Sequence, residues 1–272
     1  MESHLVTGGA GARLHVVEAG VGHGRPILFI HGLSQCALAW SRQLDSDLAE
    51  DHRLLAMDLR GHGESDKPPG GYDDARLWAD DLDAVMRRLD LDRPILCGWS
   101  YGALVILDYI RHYGEDNVGG INFVAALSKL GTEEAMAVIT PAFLDLAPGL
   151  FSTEVAETLR AVELMLRMCC VLPPTAPERY LMLGYNLSVP PHVRQALLSR
   201  SVDNDDLLPK IRRPVLITHG AEDAVVRRAA VEQHAAAIPH ARTHIMPGAG
   251  HAPFWDDAPA FNHRLRAFAG SS

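Results

Sequence analysis

Short apolar runs alternate with longer amphipathic segments through the first half of the chain and again through its last quarter. Arg13–Gly20 (RLHVVEAG) alternates polar and apolar positions and predicts a strand. Pro26–Gly32 (PILFIHG) and Arg53–Ser65 (RLLAMDLRGHGES) each predict a buried strand that runs into a loop. Asp74–Asp90 places Leu77, Leu82, Val85, Met86 and Leu89 near helical spacing. A strand at Pro94–Ser100, a helix at Tyr101–Gly114 and a strand at Val118–Leu127 follow. After a gap, Arg213–Gly220 predicts a strand, Arg227–Ile238 a helix, Ala241–His251 a strand and loop, and Asp257–Ala269 a final helix. Buried strands that alternate with helices predict an α/β fold with a mostly parallel central sheet flanked by helices.

Between about Ser128 and Val202 the alternation stops. That segment is apolar and helical, with Val155, Leu159, Val162, Leu166 and Cys169 near helical period. Pro141, Pro148, Pro173, Pro174, Pro177, Pro190 and Pro191 divide it into pieces. A helical insertion after the sixth strand reads as a cap over a site. The expected organisation is a core of residues 1–127 and 203–272 with a cap at 128–202.

The 272 residues are 47% hydrophobic and 22% charged, which suits one globular domain with a large core. The formal net charge of −9 and the lack of a basic cluster argue against nucleic acid or an anionic membrane as partner. The first twenty residues lack a basic stretch followed by a long apolar run, so no signal peptide is expected. No apolar run approaches the roughly 20 residues that span a bilayer. Cys36, Cys97, Cys169 and Cys170 lie in apolar contexts without metal-ligand spacing, as expected of free thiols in a cytoplasmic protein. Asp203–Asp206 (DNDD) lacks the glycine and distant glutamate of a calcium loop and reads as a solvated junction. No phosphate loop, zinc spacing or dinucleotide fingerprint appears, so no metal and no cofactor is expected. The oligomeric state is not legible.

Candidate chemistry centres on Gly98-Trp99-Ser100-Tyr101-Gly102, a G-x-S-x-G set between a predicted strand and a predicted helix. A sharp strand-to-helix turn lifts the serine hydroxyl above the sheet and needs glycine on either side. It also aims the Tyr101 amide at the reaction centre from a helix N-terminus, where an oxyanion is favoured. A serine hydroxyl needs a base, and the base an orienting acid. In a parallel sheet these belong on loops at the carboxyl ends of strands. The strand at 213–220 leads to Glu222 and Asp223, and the strand near Met246 leads to His251 in GAGH. Glu222 is able to orient an imidazole too; the G-x-x-D spacing favours Asp223. A second oxyanion donor is expected from Leu33, after the tight turn at Gly32, with His31 orienting that loop.

On HGLSQCALAW, MDLRGHGES, GWSYG, HGAED and AGHAPF, in this order, the chain resembles the α/β-hydrolase superfamily, within its small cap-bearing serine esterases and lactonases. The resemblance covers nearly the whole chain and implies an α/β-hydrolase fold with a Ser100, Asp223, His251 triad. It makes Arg60, His62 and Ser65 loop-fixing residues. Ser100 stands where haloalkane dehalogenases and epoxide hydrolases need an aspartate, so those reactions are disfavoured. The implied activity is hydrolysis of carboxylic esters with small to medium apolar acyl groups through an acyl-enzyme. Lactonase or carbon–carbon hydrolase activity, or a ligand receptor on the same scaffold, are the alternatives. Met136, Met165, Met168, Met182, Phe143, Phe151, Leu146 and Leu166 either line an acyl pocket or form the ordinary interior of the cap. Trp99, Trp40, Met136, Phe143 and Phe254 are the candidate substrate contacts.

Overall fold

The computed structural model describes residues 1–271. Its main sheet has eight strands: β1 (Glu2–Thr7), β2 (Arg13–Ala19), β3 (Gly24–Ile30), β4 (His52–Met57), β5 (Ile95–Trp99), β6 (Gly120–Val124), β9 (Val215–Gly220) and β10 (Arg242–Met246). Their order is β1-β2-β4-β3-β5-β6-β9-β10. The two pairings that involve β2 are antiparallel and all others are parallel. Every residue of β5, β6 and β9 is buried, which is why their sequences read as continuous apolar runs. The first strand escapes the pattern in the sequence. It is an edge strand in which only Val6 is buried, so little apolar periodicity marks it.

Helices α1 (Ala75–Arg88) and α2 (Tyr101–Tyr113) pack on each other, and α9 (Ala258–Ala269) packs on β3. Helix α8 (Ala229–Ala237) connects β9 to β10. In the β6–β9 connection, β7 (Lys129–Leu130) pairs antiparallel with β8 (Val202–Asp203). Five helices lie between these two short strands: α3 (Glu133–Val138), α4 (Pro141–Leu150), α5 (Val155–Cys169), α6 (Ala176–Leu187) and α7 (Pro191–Leu198). Three of the seven prolines here start helices. Pro141, Pro177 and Pro191 sit at first or second helical positions, where a missing amide hydrogen costs nothing.

The DNDD stretch differs from a solvated junction. Asn204 is fully buried, Asp205 accepts from Ser128 and Lys129, and Asp206 accepts from Arg111 and Lys210. These carboxylates anchor the end of the helical segment to β7 and to α2. No group of metal-ligating side chains, and no helix long and apolar enough to cross a membrane, occurs among the described residues.

Three buried histidines make the fold acid-sensitive. Burial, and then the neighbouring His31, lower the pKa of His62 to about 3. Burial lowers that of His234 to about 4 and also that of His31. Each is neutral in the fold, whereas the unfolded chain protonates it below the ordinary imidazole value of about 6.5. The unfolded state therefore binds more protons, and stability falls with pH through this window. Each such histidine contributes about 1.4 kcal/mol per pH unit. Urea midpoints measured from pH 7 to pH 4 should drop steeply below pH 6.5. A flat profile would contradict this account.

Candidate active site

The strand β5 ends at Trp99 and α2 starts at Tyr101, so Ser100 takes the whole change of direction. Its φ of 52° and ψ of −113° put a non-glycine residue in the left-handed half of backbone space, a strain of order 1–3 kcal/mol. The surroundings hold it there. The Ser100 amide donates to the Val124 carbonyl at 2.8 Å, and the Ser100 carbonyl accepts from Ala103 at 3.1 Å. Both flanking glycines are required sterically. A Cβ on Gly98 would lie 2.6 Å from Ile106 Cδ1, and one on Gly102 would lie 2.4 Å from the Ile30 carbonyl oxygen.

Asp223 and His251 come from the loops after β9 and β10. His251 Nδ1 donates to Asp223 Oδ2 at 2.9 Å, and both side chains are buried. The other carboxylate oxygen accepts from the amides of Val225 and Val226 at 2.8 and 2.9 Å. Burial pushes the Asp223 carboxyl up. The charge and hydrogen bond of His251, the His219 ring at 3.6 Å and the Val226 amide outweigh it, leaving the group below its ordinary value. An ionised carboxylate only accepts, so Nδ1 carries a hydrogen. Glu222 makes no such contact; its side chain is exposed.

The His251 loop is fixed from several sides. Trp99 Nε1 donates to the His251 carbonyl at 2.9 Å, and the Ala252 amide donates to the Cys169 carbonyl at 2.8 Å. Asp256 accepts from the Gly250 amide at 2.8 Å and from the amides of Val171 and Leu172. One carboxylate thus joins the imidazole-bearing loop to the chain leaving α5.

The loop after β3 crosses the serine. A Cβ on Gly32 would meet Ser100 Cβ at 3.3 Å, so the backbone beside Leu33 runs directly past it. Two neutral imidazoles brace this loop. His31 Nδ1 donates to the Gly32 carbonyl at 2.8 Å and its Nε2 accepts from Leu59 at 3.0 Å. His62 Nδ1 donates to the Arg60 carbonyl and its Nε2 accepts from Ser34, whose φ is 63°. Ser65 Oγ donates to the Asp58 carbonyl, and Arg60 is locked to Asp81.

A family model for the alpha/beta hydrolase fold matches residues 25–258. The chain belongs to the α/β-hydrolase family. Among solved structures this hydrolase is similar to the esterase RhEst1 from Rhodococcus sp. ECU1013, with 35% identity, 100% and 99% of the two chains covered and a TM-score of 0.94. A putative aryl esterase from Burkholderia cenocepacia is 32% identical over all of both chains, with a TM-score of 0.92. A curated relative, a putative non-heme chloroperoxidase of Synechocystis sp., is 27% identical over 94% of this chain and 95% of its own.

Two hollows meet at Ser100 of the hydrolase. The larger is a cavity of about 300 Å³ that reaches Ser100, Leu33 and Tyr101. Its walls are apolar side chains in and just after α3 and α4 and in the loops after β6 and β9, including Ile139, Leu144, Phe151, Leu127, Val225 and Val226. The smaller is a cleft of about 30 Å³ that also reaches Ser100 and Leu33, and is bounded by His251, Trp99, Gln35, Met165 and Cys169. Of the candidate substrate contacts, Met136 lines the cavity, Trp99 the cleft, and Phe143 both.

Trp40 and Phe254 line neither hollow, which corrects the expectation for both. Trp40 has no exposed surface, and its ring stacks on Phe29 and Phe254 with centroids 4.8 and 4.0 Å apart. Phe254 sits behind Trp99, centroids 4.9 Å apart, and supports that ring from the core. Leu127, Val225 and Val226 were missed. They follow the carboxyl ends of β6 and β9, where a parallel sheet places ligand contacts, so their position was the available signal.

Proposed function

We propose that this hydrolase is a serine esterase acting on carboxylic esters of apolar acids, with residues 128–202 serving as a cap over Ser100. The observation that carries the reading is one constellation: a serine on a strained elbow, an imidazole oriented by a buried carboxylate in the same cleft, and an apolar cavity opening at that serine. The esterase names of the Rhodococcus and Burkholderia neighbours support it.

Ser100 Oγ attacks the ester carbonyl while His251 Nε2 takes its proton. Asp223 stabilises the imidazolium that forms. The amides of Leu33 and Tyr101 receive the negative charge on the carbonyl oxygen; losing one such donor costs about 2.7–4 kcal/mol of transition-state stabilisation. The imidazolium then protonates the departing alkoxide, leaving an acyl-Ser100 ester. Water, deprotonated by His251, releases the acid and restores the serine.

A pH-stat assay of methyl acetate, methyl butyrate and methyl octanoate tests this, alongside labelling by an alkyl fluorophosphonate. The expected results are repeated turnover and one label per chain at Ser100. In kcat/KM, each added methylene should gain up to about fourfold, from roughly 0.8 kcal/mol per buried methylene, until the cavity is full. Folded protein that neither turns over these esters nor takes the label would overturn the reading.

A further inference from the structure

We infer that this hydrolase selects esters of a medium-length apolar acid with a very small alcohol, the acyl chain lying in the 300 Å³ cavity and the alcohol in the 30 Å³ cleft. The inference rests on the esterase reading and assigns the two sides of its site.

The assignment follows from where protons must go. The group that protonates the leaving oxygen has to reach it within hydrogen-bond distance. His251 lines the cleft and does not line the cavity. The alcohol oxygen therefore leaves on the cleft side. The acyl chain, on the other side of the same carbonyl carbon, is directed into the cavity that Tyr101 borders.

Volume sets the limits. The cleft is walled by the buried side chains of Gln35, Trp99, Met165 and Cys169. Its volume is about 30 Å³, a tenth of that of the cavity. The water that attacks the acyl-enzyme must give its proton to the same His251 Nε2, from the place the alcohol has left. A cleft so much smaller than the cavity accepts a methoxy or ethoxy group more readily than a long alkoxy chain. The cavity is about ten times larger, and its side-chain polar atoms are confined to Ser100, Tyr101 and Ser199. Burying an alkyl chain there is favourable. Leu144 and Ala147 of α4 bound the acyl side, Met165 and Cys169 of α5 bound the alcohol side, and Phe143 of α4 borders both.

Methyl octanoate and heptyl acetate share one molecular formula and place the ester group at opposite ends of the chain. Their kcat/KM values for wild-type protein in a pH-stat test the assignment without any substitution. Methyl octanoate should be favoured at least tenfold. Equal rates, or a preference for heptyl acetate, would overturn the assignment and leave the esterase reading standing. No hydrolysis of either ester, with no fluorophosphonate label at Ser100, would remove both. Met165→Ala, which removes side-chain bulk from the cleft wall, should raise heptyl acetate relative to methyl octanoate several-fold. An unchanged ratio in folded variant protein would also count against the assignment.

Discussion

Ser100→Ala should lower kcat for methyl butyrate by about 10⁵–10⁶-fold while Tm stays within a degree or two. The size follows from the chemistry proposed for the site. Without the hydroxyl no acyl-enzyme forms, and His251 and Asp223 have no nucleophile to activate. Residues that act as one unit lose nearly the whole effect when a single member is removed. Some rate above the uncatalysed reaction should persist, because the Leu33 and Tyr101 amides and the apolar cavity remain. Alanine is the informative replacement because it keeps the Cβ, and with it the strain at φ 52°. A Ser100→Gly variant relaxes that strain and confuses a stability change with a chemical one. A fall in kcat of less than tenfold for Ser100→Ala would move the nucleophile to another residue.

Asp81→Ala should cost about 3–5 kcal/mol of stability, roughly a 10 °C fall in Tm for a chain of this size. Arg60 and Asp81 are both buried and meet through two hydrogen bonds of 2.7 Å. Asp81 also accepts from the Gly9 amide at 2.8 Å, and Arg60 donates to the carbonyls of Gly9 and Leu77. The pair thereby ties the β1–β2 turn, the loop after β4 and helix α1 together. Removing the carboxylate strands a guanidinium that has no route to water. Replacing both partners, as Arg60→Met with Asp81→Leu, should cost much less, because no unpaired charge stays buried. Thermal denaturation of the single and double variants decides this. Equal losses in the two would mean that packing, and not the uncompensated charge, sets the cost.

The reach of local sequence ended at different places in different elements. Central strands such as PILFI and PILC were legible because a strand buried on both faces must be apolar throughout. The edge strand β1 was not, since one buried side chain imposes no pattern. Ser100 was legible because its elbow needs glycines at fixed offsets, and the tight contacts at Gly98 and Gly102 show why. His251 and Asp223 were legible from their places after strands. The acid in contact with the imidazole is Asp223 and not its neighbour Glu222, and only the turn of the loop onto Val225 and Val226 makes that choice. Trp40 shows the opposite failure. An aromatic residue near a loop that borders the site looks the same in sequence whether it faces a ligand or the core, and this one is stacked between Phe29 and Phe254.

By itself the sequence determined the α/β alternation, the position of the serine between two required glycines, and the chain order of the groups that follow it. These are local properties, set by periodicity, backbone sterics and loop position. Only the tertiary structure decided which side chains wall the two hollows at Ser100, and that one is about ten times the volume of the other. It also decided that Asp256 joins the His251 loop to the chain after α5. Shape and coupling of this kind arise where segments far apart in the chain come into contact. No short-range pattern encodes them, because each contact depends on packing that the whole fold settles at once.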